Sequence, residues 1–132
     1  MRKLIFAINL LLIIGCSTEK LDMNAATKTA EIAIKHIGNK EFNSLFELYA
    51  KDFAASESQE IREKKLGKII EAVGKVEEMS LLDSIRIDNS GEESSIVVRY
   101  KVKHANTTTT ESFTIIKEDG KYVLSDINIT NQ

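Results

Sequence analysis

At Gly74 the spacing of apolar residues changes from helical to alternating, and this switch does most to limit what the chain can fold into. Before it, Ala26, Ala30, Ala33, Ile34 and Ile37 fall on one helical face. Asn24 or Thr27 offers that helix a side-chain cap. Gly38-Asn39 suits its end, because both residues tolerate the left-handed conformation. A second stripe, Phe42, Leu45, Phe46, Tyr49 and Phe53, predicts another helix after the break. Ser56 and Gln59 have capping-box spacing. Leu66, Ile69, Ile70 and Val73 then make a third stripe that stops at Gly74. Gly67, inside that helix, suggests a close approach by a neighbour.

Beyond Gly74 the period is two. Met79, Leu81, Ile85 and Ile87 alternate with polar residues, with a slip at Leu82-Asp83 that reads as a bulge. Asn89-Ser90-Gly91 is a turn signal. Ile96, Val98, Tyr100, Val102 and His104 share one face of the next strand, and Val97, Arg99, Lys101 and Lys103 the other. After a bend at Ala105-Asn106, Thr109, Glu111, Phe113 and Ile115 alternate with Thr110, Ser112, Thr114 and Ile116. Asp119-Gly120 predicts a hairpin. The last strand offers Val123, Ser125, Ile127 and Ile129 on one face, with Tyr122, Leu124, Asp126 and Asn128 opposite. Helices followed by strands give an α+β fold. Three N-terminal helices pack on one face of a curved antiparallel sheet of about four strands, which leaves the other face open.

Ahead of the helices, Arg2 and Lys3 precede the run Leu4 to Ile14, apolar but for Asn9, which ends in Ile13-Ile14-Gly15-Cys16. The run of 11 residues is short of the ~20 that a transmembrane helix needs. A basic start, a short apolar core and a small-residue cleavage site mark a secretory signal. The last four residues resemble the lipobox of bacterial lipoproteins. That resemblance implies cleavage before Cys16, a lipid on its sulfur and, usually, acylation of its amine. Two or three acyl chains hold firmly, since each buried methylene contributes ~0.8 kcal/mol. The expected organisation is a signal peptide over 1–15, a lipidated Cys16 with a tether over 16–24, and a domain over 25–132. Ser17 in place of Asp leans toward the outer membrane in a Gram-negative host. Eight extended tether residues reach at most ~28 Å.

Cys16 is the only cysteine, so a lipidated chain has no disulfide and no thiolate for catalysis or metal. Without Arg2 and Lys3, 16 basic residues face 20 acidic ones, and the formal charge moves from -2 to -4. No basic block stands out, so no nucleic-acid partner is expected. The partners expected are the membrane, through Cys16, and a small apolar ligand or an envelope protein.

The domain itself resembles the nuclear transport factor 2-like family, which includes the ketosteroid isomerase-like cone. The likeness lies in the break Ile37-Gly38-Asn39-Lys40-Glu41-Phe42, in the helix ending Leu48-Tyr49-Ala50-Lys51-Asp52-Phe53, and in the closing hairpin Lys117 to Ile127. Tyr122 stands where the family often has Trp. The resemblance spans roughly Ala25 to Ile129 and implies three helices wrapped on a curved sheet with a pocket between them. Members include isomerases, dehydratases, complex subunits and non-catalytic binders, so fold alone does not settle function.

Few residues carry chemistry. His104 shares the face of Val98, Tyr100 and Val102 and is the most plausible acid-base group, though no spaced partner accompanies it. Asp52 and Asp126 occupy places that resemble the acids of family enzymes. No carboxylate pair stands on one element, no cluster has metal-ligand spacing, and no glycine-rich phosphate loop exists. No cofactor, metal or catalytic residue is therefore assigned. Tyr49, Tyr100, His104 and Phe113 are the candidate ligand-binding residues, because aromatics with a polar handle suit mixed ligands. The leading expectation is a membrane-anchored, non-catalytic lipoprotein. The alternative is an isomerase or dehydratase using His104 with Asp52 or Asp126.

Overall fold

The computed structural model describes residues 20–88 and 93–132. Cys16, the signal peptide and the Asn89-Ser90-Gly91 turn lie outside these. Four helices come first: α1 Met23–Gly38, α2 Phe42–Phe46, α3 Lys51–Ala55 and α4 Gln59–Val73. Four strands follow: β1 Val76–Ile87, β2 Ser95–His104, β3 Thr108–Glu118 and β4 Lys121–Asn131. They form one antiparallel sheet in the order β1-β2-β3-β4. The α+β class and the strand count agree with the sequence pattern. No described helix is long and apolar enough to cross a membrane.

α1 is the central helix and touches all four strands. Its stripe of Ala26, Ala30, Ala33, Ile34 and Ile37 is buried, as its spacing requires. The small alanines let the helix lie close to the sheet. Its cap is Asp22, which accepts from the Asn24 amide at 2.9 Å and precedes both expected caps, Asn24 and Thr27. Leu21 is buried in the core, so the packed part reaches back into the segment read as tether. Gly38 earns its place through contact: a Cβ there would meet Val76 Cγ2 at 2.8 Å. Gly67 has nothing within 4 Å, so the expected close approach is absent.

The predicted second helix is two short ones. Between them the chain turns extended and bonds the edge of the sheet. The Ala50 amide donates to the Leu124 carbonyl at 2.8 Å, and the Leu124 amide donates to the Leu48 carbonyl at 2.7 Å. Tyr49 thereby pairs in parallel with Leu124 on an edge strand that has free backbone groups to offer. α4 begins at Ser58, whose hydroxyl accepts from the Ile61 amide, and not at Ser56.

Two bulges correct the strand faces. In β4, Thr114 pairs with Asp126 and Ile115 with Leu124, which leaves Ser125 as the extra residue. The alternation changes phase there. Tyr122 and Leu124 therefore join Ile127 and Ile129 on the core side, two pairs that a strict period of two would separate. In β1 the expected slip occurs at Leu82. It leaves Met79 and Leu81 opposite Val102 and Tyr100, but turns Ile85 and Ile87 to the open face. At the β3–β4 hairpin, Asp119 and Gly120 both have positive φ, 51° and 78°, as a two-residue turn of this kind requires.

Candidate functional site

A cleft of about 300 Å³ lies between α4 and β4. Its apolar lining is Phe53, Leu66, Ile69, Ile127 and Ile129; its polar lining is Tyr49, Glu57, Arg62, Lys65 and Asp126. Sequence places these groups simply. Arg62, Leu66 and Ile69 follow helical spacing on α4, so one face of that helix supplies them. Ile127 and Ile129 are alternate residues of β4 beyond the bulge. Tyr49 comes from the bridge segment that breaks the second helical stripe.

Arg62 is the organising group. It is only 6% exposed. Its guanidinium carbon lies 4.1 Å from the Phe53 ring centre and 4.9 Å from that of Tyr49, within cation–π range. One terminal nitrogen donates to the Phe53 carbonyl and, at 2.6 Å, to the Ser56 hydroxyl. These bonds tie the end of α3 to α4. Nε is buried and has no hydrogen-bond partner. The nearest carboxylate oxygen named for it, Glu57 Oε2, stands at 4.0 Å, and Glu57 is paired with Lys65. Burial pushes the Tyr49 phenol above its usual pKa, while the Arg62 charge beside it pulls the other way. Phe46 meets Tyr49 edge-on at 5.3 Å and Phe53 lies 4.5 Å from it, so the ring is held from two sides.

A second polar group lies inside the core. His104 Nδ1 is 3.0 Å from the Gly74 carbonyl, which can only accept, so Nδ1 carries a proton. Nε2 is 3.1 Å from both the Thr109 hydroxyl and Glu111 Oε2. Thr109 donates to the same carboxylate oxygen at 2.8 Å. Next along the sheet, the Tyr100 hydroxyl donates to Glu31 at 2.9 Å. Burial pushes the Tyr100 phenol strongly up, and the Glu31 carboxylate adds to that.

The four ligand-binding candidates thus divide. Tyr49 lines the cleft. Tyr100 is buried against Glu31, His104 is buried against Gly74, Thr109 and Glu111, and Phe113 is fully buried apolar core. Asp126 is exposed at the main cleft, whereas Asp52 lines a separate one with Phe53, Thr114 and Ser125. His104 lines neither, so it does not converge with either acid. Among the described residues no group of three His, Cys, Asp or Glu could hold a metal.

Sequence reasoning missed Arg62 and Glu111. Both had a signal. Arg62 sits four residues before Leu66, on the apolar stripe of α4. Glu111 shares its strand face with Thr109, Phe113 and Ile115. A charge on an apolar face marks a buried, partnered group.

No protein-family model matches the chain, and no curated protein matches it. Among solved structures, one named "Putative Scytalone Dehydratase", from Novosphingobium aromaticivorans, is 14% identical and covers 83% of each chain, with a TM-score of 0.55. It has a nuclear transport factor 2-like fold, and the likeness is one of fold. The α+β arrangement and the four antiparallel strands correspond; helix number and order match only loosely.

Proposed function

We propose that the chain is a lipid-anchored protein of the bacterial envelope, held at the membrane through Cys16, whose domain binds a small, mainly apolar molecule and does not catalyse. The observation that carries the binding reading is the cleft between α4 and β4. It joins an apolar wall of Leu66, Ile69, Ile127 and Ile129 to a few fixed polar groups, the usual make-up of a small-molecule site. Its volume lies at the small end of such sites, so the ligand is small. The anchor rests on the sequence of residues 1–16 alone. Ser17 favours the outer membrane if the host is Gram-negative.

The test is a titration with a neutral apolar probe, cyclohexylmethanol, followed by isoleucine methyl resonances of the full chain. The reading expects Ile69, Ile127 and Ile129 to shift while the core residues Ile34 and Ile115 stay still. Shifts confined to other sites would remove it.

A dehydratase or isomerase is the second reading. Its support is the fold shared with the Novosphingobium structure together with the buried His104–Glu111 pair. Its original partners, Asp52 and Asp126, lie in clefts that His104 does not line. An enzyme of this kind would have to work through His104 and Glu111 and admit substrate to the core. A turnover abolished by His104→Gln in a chain that still folds would establish it over binding alone.

A further inference from the structure

We infer that the ligand of the Arg62 cleft is a small monocarboxylate, its carboxylate accepting from Arg62 Nε and its apolar body lying on Leu66, Ile69, Ile127 and Ile129. The inference deepens the binding reading and rests on it. Arg62 is more than nine-tenths buried and lines the cleft. Of the residues around the cleft, it alone has a buried side-chain donor without a partner. A buried N–H without an acceptor is costly, and native folds keep few of them. One terminal nitrogen serves the fold through Phe53 and Ser56, and the rings of Phe53 and Tyr49 lie against the guanidinium. Nε is left over by that arrangement.

Charge narrows the class. Glu57 gives one oxygen to Lys65 and holds the other 4.0 Å from Arg62 Nε, an ion pair that is too long for a hydrogen bond. A ligand carboxylate would supply the charge-assisted hydrogen bond to Nε that Glu57 does not make, and such bonds are strong. A doubly charged phosphate would meet Glu57 and Asp126 in the same small space. One buried donor without a partner and an apolar wall beside it match one carboxylate on an apolar body.

The full chain, in nanodiscs that accommodate its apolar N-terminal run, is titrated with cyclohexanecarboxylate and with cyclohexylmethanol, a neutral molecule of similar shape. The inference expects the carboxylate to bind at least about tenfold more tightly. It also expects the Arg62 Nε–H resonance to move with the carboxylate and not with the alcohol. Arg62→Lys, which keeps the charge and removes the guanidinium donor, should abolish most of the preference. Should that variant fail to fold, the Nε–H resonance of the unaltered chain decides alone. Equal binding of both probes with a still Nε–H overturns the carboxylate inference and leaves the binding reading standing. No movement of the Ile127 and Ile129 methyls with either probe overturns the binding reading itself.

Discussion

His104 Nε2 lies 3.1 Å from Glu111 Oε2, and both side chains are only 2% exposed. The pair bridges β2 and β3 inside the core and is anchored to the end of α4 through the Gly74 carbonyl. Gly74 itself has a φ of 86°, a conformation that L side chains rarely adopt, and a Cβ there would meet Ala105 Cβ at 3.0 Å. Helix end, strand end and buried pair are thus one structural unit.

Removing one partner of such a pair strands the other in the core. Glu111→Ala is expected to cost ~3–5 kcal/mol, measured by urea unfolding. Replacing both His104 and Glu111 by leucine should cost much less than the two single losses together. An additive double variant would mean that the two groups do not act as a pair.

Phe113 is fully buried and Phe46 only partly so. Phe46 and Phe53 belong to the second helical stripe, yet both are only partly buried, and the fully buried aromatic lies on β3. Phe113→Ala should cost ~3–5 kcal/mol and Phe46→Ala clearly less. Thermal melts of the two variants check the order.

The fold was legible wherever a local pattern governs. The α1 stripe, the alternation of β2 and β3, the Leu82 slip and the Asp119-Gly120 turn all follow from spacing and backbone preference. What stayed hidden depends on contacts distant in sequence. Nothing near Leu48-Tyr49-Ala50 announces that they will bond Leu124, so the second helix read as unbroken. Nothing in Leu124-Ser125-Asp126 announces a bulge, so the last strand was split across the wrong faces. The site suffered for the same reason. Tyr49 was found because it is aromatic and sits on a stripe. Arg62 is marked in sequence only by its place on the apolar stripe of α4; the groups that enclose it, Phe53, Ser56 and Tyr49, come from other segments.

Alkali should destabilise the protein through its tyrosines. Burial raises the phenol pKa of Tyr49 and Tyr100 above the ordinary 10.0, so each holds its proton more tightly in the folded chain. A folded-state value above the unfolded one means that the contribution is whole below about pH 10 and is lost as pH rises beyond it. Unfolding free energy should therefore fall above about pH 10. Tyr100→Phe should flatten that fall, and urea midpoints across the range would show it.

The lipid anchor has a direct check in intact mass. Expressed in a bacterium, the chain should carry acyl groups on a polypeptide starting at Cys16 and should enter the detergent phase. Cys16→Ala should lose both properties. An unlipidated chain beginning at Met1 would end the anchored reading.

The cleft between α4 and β4 is the centre of the account, and blocking it tests the account most directly. Ile129 lies on the cleft wall, packed against the core but only partly buried, so Ile129→Trp puts its added bulk chiefly into the cleft. The measurement is the dissociation constant for cyclohexanecarboxylate, read from the Ile127 methyl resonance in the unaltered chain and in Ile129→Trp. The account predicts saturable binding in the first and at least about tenfold weaker binding in the second, a loss of ~1.4 kcal/mol or more, with thermal melts alike. Equal binding by both chains would contradict it.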